Sequence, residues 1–374
     1  MTSGSAGSRC PACGDGEGQA FFDSELAWSI RSDGAPLPAS AAAQECLRCG
    51  HVFKPGAEAR RWADYERYEA YGDDPARDKL DFGTGAPVPR SAALLRYLGE
   101  HGILTAGTDV LDYGCHRGAL LALLGPGRHA GFDVSERYRP VVESLGFAYH
   151  GPAHPPPAES FGLLTLVHVA EHLLDPPEDL RAGLRALRAD GRVVVQVPEI
   201  ASQPTDLYVM DHRSHFSAET LDRAMARAGL FPVRRTQSVI PGELTGVYAR
   251  GTAARPPAPR SAPGSRSARD VLQRGEARLH EALRQDRPCV VFGAGLLGTI
   301  LASVLAGRVS LVADDDAGRH GSRLLGSEVV PLRAVPPRSA LVVVAVPPTA
   351  AARVADRCRE LGHDVLAPFT LEPA

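Results

Sequence analysis

From residue 109 onward the chain alternates short apolar runs with amphipathic ones, and this alternation restricts the fold more than any other feature. DVLDYG, HAGFDVS, GLLTLVHV and GRVVVQVP read as strands, and GALLALLG, ERYRPVVESLG and PPEDLRAGLRALR between them read as helices. Parallel pairing of neighbouring strands requires such crossover helices, which then cover both faces of the sheet. The fold class expected is therefore α/β, with a doubly wound, Rossmann-like parallel sheet. SAETLDRAMARAG continues as helix, and LFPVRRTQSVI and ELTGVYARG as strands. Upstream, SAALLRYLGEHGI has the apolar spacing of an amphipathic helix, and residues 61–85, with Tyr65, Tyr68 and Tyr71 among charges, read as helix followed by loop.

The stretch 252–270 is Pro, Ser, Arg and Ala with almost nothing to bury, so it reads as a linker. Beyond it DVLQRGEARLHEALRQ is a helix, and CVVFGAG, LLGTILASVLAG, VSLVADDD, ALVVVAVPP, TAAARVADRCRELG and DVLAPF repeat the α/β alternation. A second, smaller Rossmann-like domain over 271–374 is expected. The 374 residues, 44% hydrophobic and 23% charged, are ample for several packed cores and exclude disorder of the whole chain. Lys plus Arg number 41 against 44 Asp plus Glu, so no basic surplus points to nucleic acid. No apolar run approaches the ~20 residues needed to cross a bilayer, and MTSGSAGSRC lacks an apolar signal core. A cytoplasmic protein without a membrane partner is the expectation.

Four of the seven cysteines form two C-x-x-C pairs, Cys10–Cys13 in CPAC and Cys46–Cys49 in CLRC. Without a secretion signal, paired knuckles favour a metal over disulfides. Four thiolates on two tight turns make the closed tetrahedral site that structural zinc takes, which leaves no open position for catalysis. The segment between the pairs is longer than in ordinary zinc ribbons and must hold an inserted hairpin or loop. The expected organisation is a zinc-binding module over 1–60, a second domain over 61–251, the linker, and the C-terminal domain.

VLDYGCHRGALLALL places Asp112, Gly114, Cys115 and Gly118 at the junction of the first strand and its helix. Glycines let the backbone approach a ligand there, and the helix start offers unpaired N–H groups. The next strand ends at Asp133, where a carboxylate can accept both ribose hydroxyls of an adenosine. The turn lacks G-x-G-x-x-G and is poorly built for pyrophosphate. D-x-G-C-x-x-G instead resembles motif I of class I S-adenosylmethionine (SAM) methyltransferases; LLTLVHVAEHLLDP resembles their fourth strand and HFSAETL their late helix entry. That resemblance implies SAM as cofactor, with Asp112, Gly114, Cys115, Gly118, Asp133 and His168 lining its site. Cys115 reads as small filler and His168 as packed on the strand.

The three modules together resemble the zinc-containing nucleotide-sugar C-methyltransferase family, whose members modify nucleotide-linked keto-deoxysugars in antibiotic pathways. VVFGAGLLG and ADDDAGRHGSRLLG resemble the Gly-rich turn and following segment of that family's C-terminal, substrate-binding domain. The resemblance implies catalytic roles for His172 after the fourth strand and for Asp211 and His212 before Phe216-Ser217. His212 would act as the base, Asp211 would orient it, and Tyr71 (or Tyr68) would supply an upstream tyrosine. A base that removes the proton beside a ketone gives an enolate able to attack the sulfonium methyl, and an imidazole suits this near neutral pH. His215 reads as structural. Departures are Val209 and Met210 where the family has an aromatic residue, and Leu297 where it often has Lys. O- or N-methylation of another natural product stays open. So does an NAD-binding redox or non-catalytic protein, since Gly293, Gly295 and Gly298 with Asp314 formally fit a dinucleotide fingerprint.

Overall fold

The computed structural model describes residues 9–15, 17–55, 79–80, 87–237, 239–251 and 264–371. Tyr65, Tyr68 and Tyr71, and the helix expected over 61–85, lie outside these apart from the short strand at 79–80.

The N-terminal module is built on β1 (Gly18–Asp23), the hairpin β2 (Ser29–Ile30) and β3 (Pro36–Leu37), β4 (Ala42–Cys46) and β5 (Val52–Phe53). The β2–β3 hairpin is the insertion that the long gap between the cysteine pairs demands. A two-stranded ladder of β6 (Lys79–Leu80) and β7 (Pro87–Val88) precedes α1 (Arg90–Glu100).

The central sheet uses β8 (Val110–Tyr113), β9 (Ala130–Phe132), β10 (Ala148–His150), β11 (Phe161–Val167) and β12 (Leu187–Pro198). After the two-residue β13 (Ser214–His215) it is completed by β14 (Leu230–Thr236) and β15 (Glu243–Arg250). Its order is β10-β9-β8-β11-β12-β15-β14, with only β15 running against its neighbours. The chain winds outward from β8 in one direction and returns to build the other half from β11. Their shared boundary is the topological switch point, where the carboxyl ends of open α/β sheets leave a crevice for a ligand. α2 (Arg139–Ser144), α3 (Pro176–Asp179), α4 (Arg181–Ala186) and α5 (Ala218–Arg227) are the crossovers. α5 starts where expected: Ser217 accepts from Thr220 N while Thr220 Oγ1 accepts from Ser217 N, a reciprocal cap.

Two expected helices are shorter than the periodicity suggests. GALLALLG forms only a 3₁₀ turn, Leu121–Leu123. Gly118 holds φ at +80° before it, and Gly125-Pro126-Gly127 stops it a few residues on. PPEDLRAGLRALR divides at Leu180, which closes α3 and opens α4, while the Asp179 carboxylate braces the start of α3 by accepting from Leu174 N and Asp175 N, at 2.8 and 2.9 Å.

α6 (Ser265–Leu283) begins inside the stretch read as linker. The C-terminal sheet then follows as β16 (Cys289–Phe292), β17 (Val309–Ala313), β18 (Arg323–Leu324), β19 (Ser327–Val330), β20 (Leu341–Val344) and β21 (Asp364–Leu366). With α7 (Leu296–Val304) and α8 (Pro348–Glu360) it forms a second doubly wound unit, ordered β18-β19-β17-β16-β20-β21.

The modules are not beads on a string. β13, from the central domain, pairs antiparallel with β5, so the N-terminal sheet reads β1-β4-β5-β13. Phe21 and Ile30 share one core with Tyr208 and with Leu272 and Ile300 of the C-terminal unit. At its centre the Glu276 carboxylate on α6 accepts from Ser24 Oγ (2.6 Å), Glu25 N (3.0 Å) and Tyr208 Oη (2.8 Å). Burying that carboxylate is tolerable because each oxygen is hydrogen-bonded.

Candidate active site

At the switch point the turn after β8 is tightly determined. Gly114 sits at φ +84°, its N–H donates to Phe132 O at 2.7 Å, and a Cβ there would lie 2.4 Å from Val169 Cγ2. Only glycine fits. The same contact presses this turn against the loop after β11. Asp112 is buried within the sheet, where it accepts from Thr165 Oγ1 at 2.7 Å, and burial lifts its carboxyl to about 7. Asp133 accepts from His116 N and Ser135 N, both at 3.0 Å, and so ties the end of β9 to the Gly114–Gly118 turn. Cys115 packs among Leu121, Tyr138, Val142 and Tyr149. Burial raises its thiol well above the ordinary value, which suits filler rather than a nucleophile.

The loop after β11 carries His168, Glu171 and His172. His168, at φ +54°, lies between two buried carboxylates: Nδ1 is 3.1 Å from Glu171 Oε1 and Nε2 is 3.3 Å from Glu243 Oε2. Arg90 pairs with the other Glu243 oxygen at 3.2 Å. Burial works against the His168 charge, as does Arg90, but the two carboxylates prevail and its pKa is raised. His168 thus joins an ion network under the loop, while its N–H extends the β11–β12 pairing by donating to Gln196 O at 2.9 Å.

His172 and His212 meet edge to face, with ring centroids 4.7 Å apart. One nitrogen of each ring and one Glu171 oxygen lie within 4.8 Å of one another. His172 Nδ1 bonds to the Asp211 carbonyl at 3.0 Å, and proton placement there leaves the lone pair on Nε2. The expectation that Asp211 orients His212 is corrected. The carboxylate on His212 Nδ1 is Asp206 Oδ1, at 2.7 Å, while Asp211 accepts from Ser32 N at 2.8 Å and from Ser32 Oγ. The Ser32 contacts draw the Asp211 carboxylate towards the N-terminal hairpin, and Asp206 faces the ring from the 3₁₀ turn Pro204–Tyr208. Asp206 Oδ2 also bonds His215 Nδ1 at 2.9 Å, the structural position read for His215.

The two rings carry different charge. Burial disfavours the His212 cation, yet Asp206, Glu171 and Asp211 overcome it and lift the pKa to about 9. Burial and the neighbouring His212 charge push His172 below its ordinary value. The two shifts run in opposite directions, towards the charged form of His212 and the neutral form of His172. One ligand atom from each of Glu171, His172 and His212 could face a shared cation.

Glu171, Asp206 and Glu243 escaped the sequence reading. Glu171 was the findable one, directly before His172; nothing in the spacing singles out Asp206 or Glu243. In the N-terminal module, Cys10 Sγ and Cys49 Sγ are 3.7 Å apart, Cys13 Sγ and Cys46 Sγ 3.6 Å, and all four lie within 4.8 Å of one another. A tetrahedron of sulfurs at a Zn–S distance of ~2.3 Å has edges of ~3.8 Å, close to these two separations. At the second Gly-rich turn, Asp314 accepts from Ala294 N (2.6 Å) and Asp316 N (2.8 Å), and Arg319 bonds the Ala294 carbonyl. No helix among the described residues is long and apolar enough to cross a membrane.

Residues 65–234 match the family model described as "Methyltransferase domain". No curated protein matches the chain. Similar solved structures include a SAM-dependent methyltransferase from Mesorhizobium loti, 16% identical over 42% of this chain and 98% of that one, with a TM-score of 0.36. Another, from Clostridium acetobutylicum, is 13% identical over 46% of this chain and 94% of its own, with a TM-score of 0.37. The calicheamicin-biosynthesis methyltransferase CalO1 is 21% identical over 43% and 54%, with a TM-score of 0.34.

Proposed function

We propose that this chain, a SAM-dependent methyltransferase, methylates a carbon beside the ketone of a nucleotide-linked keto-deoxysugar, and that its Cys10–Cys13–Cys46–Cys49 cluster holds a structural zinc. The observation that carries the reaction type is the edge-to-face pair of His172 and His212, 4.7 Å apart beside the switch point, one ring anchored on the Asp206 carboxylate and the other on the Asp211 carbonyl. Oxygen or nitrogen nucleophiles need at most one proton removed. A carbon acid also needs its enolate oxygen stabilised while the proton leaves.

In this reading His172 Nε2 takes the α-proton, and the C–H electron pair becomes the enolate. The His212 imidazolium donates a hydrogen bond to the enolate oxygen. The enolate carbon then attacks the methyl group of SAM, the S–CH₃ bond breaks with its electrons going to sulfur, and the proton stays on His172. This moves the base role first expected of His212 to His172, because Asp206 and Glu171 favour the protonated form of His212. SAM would lie across the ends of β8, β9 and β11, with its methionine part over Gly114 and its ribose hydroxyls on Asp133. Asp133→Ala removes the acceptors for two charge-assisted hydrogen bonds, worth ~1.5–3 kcal/mol each before solvent compensates, so SAM should bind at least about tenfold more weakly. An unchanged dissociation constant by calorimetry would place the adenosine elsewhere.

The reaction type is tested by isotope. With methyl-deuterated SAM and a uridine- or thymidine-diphosphate-linked keto-deoxysugar, NMR of the product should show the label on the carbon next to the carbonyl. Without SAM, the enzyme should exchange that carbon's hydrogen with solvent deuterium. Label on oxygen or nitrogen, with no exchange, would favour an O- or N-methyltransferase instead.

A further inference from the structure

Every residue from 209 to 215 is held by the N-terminal module. Met210 N–H donates to Ile30 O (2.7 Å), and Val209 bridges to Ile30. Asp211 is fixed by Ser32 at the hairpin tip, and Ser214 and His215 pair with Phe53 and Val52. Lys54 joins these contacts. Its N–H donates to Arg213 O at 2.9 Å, and its ammonium donates to His212 O at 3.2 Å and to Val209 O. Lys54 is 3% exposed, and a lysine is rarely buried unless its charge is answered by hydrogen bonds. Among the acceptors are the two carbonyls that bracket the turn leading into His212.

We propose that Lys54 is a positioning residue for methyl transfer: by gripping the Val209 and His212 carbonyls it sets the placement of the His212 ring against His172 and the substrate. This rests on the acid–base reading of His212 given above. The chemistry needs such a grip, because residues 209–213 form no ladder of their own and a loop free to shift would move the imidazolium away from the enolate oxygen. Lys54 stands five positions after Cys49, on β5's exit, so the module that holds the metal is also the jig for the catalytic loop. The central sheet, which carries the SAM-binding turn, makes none of these contacts to Lys54. Loss of the ammonium should therefore slow the chemical step while leaving SAM binding alone.

The test uses full-length Lys54→Met, which keeps the stem and removes the charge, and Lys54→Ala, which opens space for an added amine. With a nucleotide-diphosphate-linked keto-deoxysugar, kcat of Lys54→Met should fall by about 10²-fold with KM little changed, the scale of loss that a ~1 Å misplacement brings. SAM affinity by calorimetry and metal content by elemental analysis should match the wild type. The ¹⁵N resonances of the His212 ring should move, and propylammonium should restore part of the Lys54→Ala rate. Unchanged kcat and His212 resonances in a folded Lys54→Met would overturn the proposal. So would parallel losses of SAM affinity, metal and kcat, which mark general support of the fold. A fully active His212→Asn would instead remove the acid–base reading, and the positioning role with it.

Discussion

His212→Asn should lower kcat by about 10²–10⁴-fold, the usual contribution of a positioned proton donor or acceptor, with the SAM dissociation constant unchanged. Asn can keep a hydrogen bond to Asp206 but carries no proton with a pKa near 9. Two further measurements separate this assignment from a base role. His172→Asn should abolish solvent exchange of the substrate's α-hydrogen, because the proton acceptor is gone. His212→Asn should slow exchange and methylation together. The pH profile of kcat/KM should be a bell. Its acid limb marks protonation of His172, below the ordinary histidine value, and its alkaline limb marks loss of the His212 proton at about 9. Were His212 the base, activity would rise through pH 9 instead of falling.

The same shift has a stability consequence with a definite sign. The folded pKa of His212 is raised, so its contribution is fully present below the unfolded value of about 6.5 and is lost as pH rises through about 9. Asp206 acts at the other end. Its pKa is held well below the carboxylate range by His212 and His215 against the cost of burial, so its contribution is present above about 3.9 and fades as pH falls further. An alkaline loss of activity must therefore be shown to reverse on return to neutral pH before it is read as titration of the site.

The doubly wound sheets were legible because their strands are buried on both faces: LLTLV and VVVQV need no partner sequence to declare themselves. The Gly114 turn was legible because φ +84° and the closeness of Val169 admit only glycine. The helix at 118–125 was misjudged, since an apolar LALL run fits a packed 3₁₀ turn as well as a helix once Gly118 and Gly125-Pro126-Gly127 bound it. At the site, residue types were readable and pairings were not. Asp211 stands beside His212 in the chain, yet Asp206 holds the ring, because which side chains of an irregular loop face each other is decided by contacts with other elements. Those contacts come from Ser32, Ile30 and Lys54, more than 150 residues upstream. No local pattern in the sequence could have paired them.

Removing zinc should be the most damaging change of all. The N-terminal module has short strands, three of them (β2, β3 and β5) only two residues long, and a core that it shares with other parts of the chain. Cys10 and Cys46 are 0% and 1% exposed, so without a metal four clustered sulfurs would be left with only weak thiol hydrogen bonds to one another and to the Asp15 carbonyl. Structural zinc typically supplies ~10–16 kcal/mol of apparent binding energy, which in such a module is folding energy. Chelation, or Cys46→Ser, should release β4 and β5, and with β5 the β13 pairing and the Lys54 grip on the His212 loop. Calorimetry should show the main transition at least ~10 °C lower, given that each kcal/mol moves a domain of this size by a few degrees. Turnover should vanish with it. SAM affinity should survive in part, because the Gly114 turn, Asp133 and the β8–β9–β11 ends lie in the central sheet. Elemental analysis should find one zinc per chain in protein purified without chelator. Zinc-free protein with full activity would leave the four cysteines as packing alone and return the burden of shaping the loop to the shared core.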